Sequence, residues 1–369
     1  MGKAQETVLE INLNALAHNF RHLKSQVGNE VKFMAVVKAF GYGSDIVGIS
    51  KKLTELGADY LAVAYTSEGI ALRKAGIRLP ILVFHPQIVH FESLIEHCLE
   101  PGIYSELVLD NFITTAQKLK QSSYPVHLKF NTGLNRLGFA ESLAKKIARR
   151  CKTTPAIEVV SLYSHLAASA DWREREFTLN QIHSFKQLSG EYYKETGASP
   201  LLHICNTSGI LNYPEAALDM VRAGIGLYGF GNDKDHDKKL RPVGTLKTVI
   251  SQIQNLKAGD TVGYNRSFKA TKPTRIAVLP LGYNDGISRI YGNQRAGVFI
   301  GDVFAPIVGD VCMDMIMVDV TGINCEETDE VIIFGGPQHA TNFAGAGDTI
   351  SYELITGISQ RVRRKLTEN

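Results

Sequence analysis

Phe33-Met34-Ala35-Val36-Val37-Lys38-Ala39-Phe40-Gly41-Tyr42-Gly43-Ser44 is the stretch from which the rest of the chain can be read. An apolar run of strand length ends in a single lysine, a Gly-Tyr-Gly turn follows, and Ser44 is placed to cap a helix. A lysine at the mouth of a buried strand loses part of its hydration, which lowers its pKa and exposes a nucleophilic amine. Such an amine forms Schiff bases with carbonyl cofactors and moves protons. Tyr42, four residues on, would set its hydroxyl where a cofactor phosphate sits. Alone, Lys38 reads more simply as a strand-end residue pointing into water. The company it keeps along the chain decides otherwise.

Outward from this stretch, short apolar runs alternate with helical patterns. Strands are expected over 31–37, 60–65, 81–84, 102–104, 126–130, 157–163, 201–205 and 218–221, with one long helix marked by Gln181, Phe185 and Leu188. A strand over 8–11 and a helix capped by Asn12, with Leu13, Leu16, Phe20, Leu23 and Val27 on one face, precede them. Eight strands separated by helices predict an N-terminal (β/α)8 barrel, taken here as residues 1–238. The polar segment around 231–240 reads as a linker. Beyond it the runs 243–254, 275–281, 297–300, 305–308, 316–320 and 330–334 lack helices between them, so 239–369 is expected to be a mostly β domain. Asp348-Thr349-Ile350-Ser351-Tyr352-Glu353 would open a C-terminal helix, and the basic cluster 361–365 reads as one face of a terminal helix.

The bulk properties exclude several classes. The 369 residues, 44% hydrophobic and 21% charged, describe a globular chain of about two domains. A net charge of +3 without like-charge blocks argues against a nucleic-acid or membrane surface. No apolar run is long enough for a bilayer and no signal region opens the chain, although the sequence leaves open that it belongs to a longer fusion. The five cysteines are scattered without a Cys-x-x-Cys pair, which indicates a reduced, cytoplasmic chain with no metal site.

In a barrel of this kind, functional side chains lie at the carboxyl ends of the strands. Those positions carry Lys38, then Lys129 with Asn131 and Arg136, His165, Asn206-Thr207-Ser208, and Arg222 with Gly224-Ile225-Gly226. Each has a plain structural reading as an ion-pairing residue, a core histidine or a helix cap. All of them polar and facing one mouth is a different matter. The Asn206–Ser208 cap and the backbone amides of Gly224 and Ile225 would form an anion nest at the last two strands.

The order and content of these motifs resemble the alanine racemase family, pyridoxal phosphate (PLP) enzymes with a barrel and a C-terminal β domain. Val37-Lys38-Ala39-Phe40-Gly41-Tyr42-Gly43 is similar to that family's cofactor-lysine signature. The stretch from Lys129 through Asn131 and Arg136 to Phe139, Ser164-His165-Leu166-Ala167 and Val221-Arg222-Ala223-Gly224-Ile225-Gly226 resemble its later barrel motifs. Gly263-Tyr264, Leu281-Gly282-Tyr283-Asn284-Asp285-Gly286, Cys312-Met313-Asp314 and Ser351-Tyr352-Glu353 extend the likeness through the second domain.

The resemblance implies interconversion of L- and D-alanine by two bases, supplying D-alanine for peptidoglycan. Lys38 would hold PLP and act as one base, and Tyr264 of a second subunit in a homodimer would be the other. Tyrosine has a pKa of about 10, so Tyr264 would need help from His165 and the surrounding positive charge. Arg222 would hydrogen-bond the pyridine nitrogen and keep it unprotonated, because a guanidinium has no acceptor. Arg136 would contact the cofactor or the substrate carboxylate, and Lys129 is the position that becomes a carbamate in many members. Tyr42, Asn206, Thr207, Gly224, Ile225 and Tyr352 would grip the phosphate, with His165 beside the cofactor. Met313 would offer a backbone contact to the substrate, and Tyr283 and Tyr352 would narrow its entrance, which favours alanine and leaves serine open.

Four departures stand out. Asn131 replaces the usual Asp, Leu134-Asn135 replace a Met-x pair, Thr207 replaces a serine, and Asp310 stands where a basic residue often lines the corridor. A PLP decarboxylase of similar architecture would set a carboxylate against the ring nitrogen and carry a Gly-Gly-Gly loop, which this chain lacks. A PLP-holding regulatory barrel would end where the β domain here begins.

Overall fold

The computed structural model describes residues 4–336 and 339–368, which form two compact units. One holds Ala17–Gly41 and Ile46–Arg241 and is a barrel. Its eight parallel strands are Lys32–Val36, Tyr60–Val63, Ile81–Val83, Glu100–Ile103, Tyr124–Asn131, Ile157–Tyr163, Leu201–His203 and Met220–Ala223. Each of the first six pairs with the next, and the last returns to the first with Met220 opposite Lys32 and Ala223 opposite Ala35. The remaining seam is closed by single hydrogen bonds. Asp219 N–H donates to the Leu202 carbonyl (3.1 Å), Leu202 N–H donates to the Asp219 carboxylate (2.8 Å), and Arg222 N–H donates to the Cys205 carbonyl (3.1 Å). Strands buried on both faces explain the unbroken apolar text of Phe33–Val37 and Leu61–Val63.

The helices between strands follow local signals. Glu106–Lys118 starts where Ser105 Oγ accepts from Val108 N–H (3.3 Å), and it buries Leu109, Phe112, Ile113 and Ala116. Arg175–Thr196 ends at Gly197, whose left-handed φ of 73° lets its N–H donate to the Tyr193 carbonyl. The polar segment near 231–240 holds a short helix, Lys234–Asp237, capped by the Asp233 side chain.

The second unit combines residues 4–16, Tyr42–Asp45 and the described residues from Pro242 on. Its nine-stranded sheet runs Gln252–Leu256, Thr274–Leu279, Ile316–Asp319, Val303–Val308, Gly297–Ile300, Glu330–Phe334, Gly244–Val249, Val8–Asn12 and Arg363–Thr367. Ile276, Val308 and Met317 form a buried cluster with Leu256, Val262, Phe268 and Val278 packed on it.

Two sequence expectations change here. The strand at 8–11 exists as Val8–Asn12, but it lies in the β sheet, antiparallel to Gly244–Val249 and parallel to Arg363–Thr367. Assigning all of 1–238 to the barrel therefore misplaces this segment. Local alternation marks a strand without naming its sheet. The basic run at 361–365 is not a helix face. Arg363–Thr367 is a strand, and Lys365 joins Lys247 on the buried Glu10 carboxylate, at 3.4 and 2.9 Å, so the cations meet a specific anion.

Candidate active site

At the carboxyl end of the barrel, Lys38 follows the first strand with only Val37 between them. Burial, then the charge of Arg136, lower its pKa, while Glu68 works in the opposite sense. The turn after it is left-handed over five residues, with φ of 54° at Ala39, 56° at Phe40, 68° at Gly41, 53° at Tyr42 and 77° at Gly43. Such a run costs about 1–2 kcal/mol for each residue other than glycine, so something must hold it. Glu68 does part of this: its carboxylate accepts from the N–H of Ala39 (2.6 Å), Ala64 (2.8 Å) and Tyr65 (3.1 Å). Gly43 has no alternative, since a Cβ there would lie 2.0 Å from the Ile355 carbonyl oxygen. The helix expected at Ser44 therefore begins only at Ile46.

Around this mouth the other strand ends present cations. Lys129 is buried over the Tyr163 ring (5.9 Å), and burial, then Arg136, Arg222 and Lys38, bring its pKa down to about 8. Arg136 is exposed. Asn131 organises its own loop by accepting from Gly133 N–H (3.2 Å) and Asn135 N–H (2.9 Å). An aspartate could accept the same two bonds, so the departure at Asn131 removes a charge and keeps the turn.

Arg222 is buried in the eighth strand. Nη1 donates to His203 Nδ1 (2.8 Å) and the His203 carbonyl (3.0 Å); Nη2 donates to the carbonyls of Ser164 (2.7 Å) and Ile204 (3.1 Å) and to His165 Nδ1 (3.3 Å). None of these bonds uses Nε–H. Burial lowers its pKa to about 10, so it stays charged near neutrality. Burial and then Arg222 push His165 well below the usual histidine range. His165 is thus a neutral imidazole with Nδ1 as acceptor, and the positive charge expected of this region comes from the arginines and lysines.

Thr207 Oγ1 accepts from the N–H of both Gly224 and Gly226 (3.2 Å each), which gathers the hydroxyl and this loop's amides at one point. A Cβ on Gly226 would lie 2.6 Å from Thr207 Cγ2, so the cradle requires glycine there. Asn206 Oδ1 accepts from Gly209 N–H and Ser169 Oγ, each at 2.9 Å, and Ile225 is buried beside the cradle.

The β unit carries the remaining residues. Tyr264 is 71% exposed. It sits in a turn between Gly263 (φ 76°) and Asn265 and Arg266 (φ 56° each). A pocket of about 510 Å³ lies against it, lined also by Val262, Cys312, Met313, Asp314 and Met315. The motif 281–286 is a turn tied down by Asp285, which accepts from Gly282 N–H (2.8 Å) and from Arg361 through two bonds (2.7 and 2.9 Å). Arg361 also holds Asp314 (2.6 Å), while the N–H of Tyr283 and Asn284 donate to the carbonyls of Cys312 and Met313. This leaves the Met313 N–H outside the hydrogen bonds of the described residues. Tyr42 and Tyr352 lie with ring centres 6.4 Å apart, and burial, then Tyr352, raise the Tyr42 pKa. Asp310 is bound by Arg289 Nη2 (3.2 Å) and Asn293 Nδ2 (3.0 Å), which offsets its charge.

Lys38, Lys129, Arg136, His165, Asn206, Thr207, Arg222, Gly224 and Ile225 thus belong to the barrel unit, and Tyr42, Tyr264, Tyr283, Met313 and Tyr352 to the β unit. Sequence reading missed three barrel residues. Glu68 holds the turn after Lys38, Tyr163 has its buried hydroxyl without a partner among the described residues, and His203 supports Arg222. Tyr163 was in reach, because it closes a strand just before Ser164-His165.

An amine of lowered pKa, a guanidinium N–H outside the hydrogen bonds of the described residues and a hydroxyl–amide cradle fit a phosphorylated carbonyl cofactor with a ring nitrogen. The fold and site define a barrel enzyme of the cofactor-binding, carbonyl-chemistry type, followed by a β domain. The chain belongs to the alanine racemase family: the profile "Alanine racemase, N-terminal domain" matches residues 11–231 and "Alanine racemase, C-terminal domain" matches 243–366. It is 37% identical to the alanine racemase of Halothermothrix orenii, over 97% of this chain and 96% of that one. Among solved structures it resembles the alanine racemase of Clostridium difficile 630, with a TM-score of 0.93 at 33% identity over 100% of this chain and 97% of that one. It also resembles the Bartonella henselae alanine racemase with covalently bound pyridoxal phosphate, with a TM-score of 0.89 at 26% identity over 99% of this chain and 100% of that one.

Proposed function

We propose that this chain is a PLP-dependent racemase that interconverts L- and D-alanine by two-base proton transfer and supplies D-alanine for peptidoglycan. The observation that carries the reading is Lys38, an amine of lowered pKa at the first strand's end, in a mouth with Arg222 and the Thr207–Gly224–Gly226 cradle. Lys38 would bind the cofactor aldehyde through Nζ. Thr207 with the amides of Gly224 and Ile225, next to Asn206, would take the phosphate, assisted by the Tyr42 and Tyr352 hydroxyls, and His165 would border the ring.

When bound, PLP supplies the electron sink that acidifies the substrate's Cα–H. Lys38 Nζ takes or returns that proton on one face, and Tyr264 Oη does so on the other. Racemisation needs both faces served, and a residue as exposed as Tyr264 is available to a second copy of the chain. The functional unit is therefore a homodimer in which each site takes Tyr264, Met313 and Tyr283 from the partner. Arg222 would hold the ring nitrogen through Nε–H, and because a guanidinium does not surrender its proton, that nitrogen would stay unprotonated. Arg136 and the Met313 N–H hold the substrate carboxylate. Lys129, with a pKa of about 8, has enough free amine near neutrality to add carbon dioxide, and the resulting carbamate would orient Arg136. Five free cysteines fit a cytoplasmic location.

Incubation with L-alanine in heavy water tests the reading. Optical rotation should fall to zero while deuterium enters at Cα. Carbon dioxide release instead would identify a decarboxylase, and a coloured protein inert to alanine would defeat the proposal.

A further inference from the structure

Beneath Arg222, four side chains without a role in the proton transfers above run in file through the barrel interior. Arg222 Nη1 lies 2.8 Å from His203 Nδ1, His203 Nε2 2.9 Å from Ser161 Oγ, Ser161 Oγ 2.6 Å from His127 Nδ1, and His127 Nε2 2.7 Å from Glu100 Oε2. Ser161, His127 and His203 are fully buried, and Glu100 opens the fourth strand at the barrel's other end. Strand register builds the file, with His127 opposite Ser161 and Tyr163 opposite His203. Tyr163 stacks on His203 (5.1 Å, 9° between planes), and Tyr60 meets His127 edge-on (6.0 Å, 86°).

The chemistry of the two ends gives the file a direction. A guanidinium only donates, so His203 Nδ1 must be a bare nitrogen and Nε2 must carry the proton. That N–H donates to Ser161, the Ser161 hydroxyl donates to His127 Nδ1, and His127 Nε2–H donates to the Glu100 carboxylate, which only accepts. Each link along the line thus joins one donor to one acceptor, and the ends carry opposite charge. Burial keeps His203 well below the usual histidine pKa, in accord with a neutral ring.

We propose that Glu100, His127 and Ser161 are positioning residues for Arg222, acting through this one-way relay to lock His203 as the Nε2–H tautomer. Bonds in such a chain polarise one another, so the carboxylate at one end strengthens the hold on the guanidinium at the other. The relay fixes the plane of Arg222 and with it the direction of Nε–H. This role rests on the reading that Arg222 meets the cofactor ring.

The test uses the PLP-loaded enzyme with 15N-labelled histidine. Ring-nitrogen shifts of His127 and His203 should each show one protonated Nε2 and one bare Nδ1. Glu100→Leu should shift the His203 nitrogens and the visible band of bound PLP, and lower kcat about tenfold with KM little changed, as loss of an outer-shell partner does. Glu100→Gln, which retains an acceptor oxygen, should restore most of the rate. If Glu100→Leu does not fold, Ser161→Ala interrupts the line at its middle and should move the same signals. A proton on Nδ1 of either histidine in the wild type overturns the proposal, as do His203 and PLP signals unmoved in a folded variant. These readouts stand apart from the functional reading, which fails instead if the wild type does not bind PLP or racemise alanine.

Discussion

The barrel mouth and the turn around Tyr264 solve opposite problems. In the barrel, Arg222 is 3% exposed and its two terminal nitrogens are committed to five acceptors before any ligand arrives. In the β unit, Tyr264 is 71% exposed on a left-handed turn beside a pocket lined with methionines. The first region is preorganised, so its electrostatics are set in advance. The second leaves the Tyr264 side chain open to solvent. On the proposed function, the barrel would hold the electron sink rigidly and the second base would arrive by association of two chains.

The largest effect should come from separating the halves. Lys38→Ala and Tyr264→Phe proteins should each lose about a thousandfold or more in racemisation, as expected when a proton-transfer group is removed. Mixed in equal amounts with subunit exchange, they should regain about a quarter of wild-type activity, because half the dimers are mixed and one of their two sites is intact. If exchange is verified by mass and no activity returns, both bases belong to one chain.

Arg222→Glu probes the preorganised half. It would place a group able to share a proton with the ring nitrogen, and racemisation should fall about a hundredfold as a preorganised charge is lost. A new visible absorbance with alanine and increased transamination should accompany the fall. An unchanged rate and spectrum would show that Arg222 does not tune the ring.

Lys129 gives a pH signature. Its pKa in the folded chain is about 8, below the ordinary lysine value of 10.5, so the unfolded chain holds the extra proton between those values. Stability should therefore rise with pH across that window, and Lys129→Met should flatten the rise in urea midpoints. Carbamate formation needs the neutral amine and should fade as pH drops below about 8. A variant as steep as wild type would remove Lys129 from this account.

Glu68→Gln should have the smallest effect on turnover. The amide cannot accept on both sides, so one of the N–H bonds around the exposed Ala39 and the half-buried Ala64 is lost, at about 0.5–1.5 kcal/mol. A lower urea midpoint and faster PLP loss should follow, with kcat reduced only several-fold. Unaltered PLP retention would mean the left-handed turn holds itself.

Much of this was legible in the chain itself. The barrel strands show as apolar runs because both their faces are buried, and Lys38, His165 and Arg222 show because each breaks such a run at its end. What stayed hidden depends on pairing at a distance. No local signal says that Val8–Asn12 belongs between Gly244–Val249 and Arg363–Thr367, or that Glu68 would reach back to Ala39. His127, Ser161 and His203 read as ordinary polar residues within strands until register lines them up. The left-handed turn was also invisible, since Ala39 and Phe40 have no preference for positive φ.

The placement of Val8–Asn12 has a consequence for biosynthesis. This strand leaves the ribosome before any of the barrel, yet both its neighbours in the sheet are translated after the barrel is finished. The barrel can close while its predecessor waits as an unpaired edge, exposed to chaperones and to other nascent chains. Completion of the β unit then depends on contacts that span nearly the whole sequence, such as Glu10 with Lys365. A chain terminated before Arg363 would keep its barrel strands and leave one side of Val8–Asn12 without a neighbour, a mark by which proteolysis could sort truncated products from finished ones.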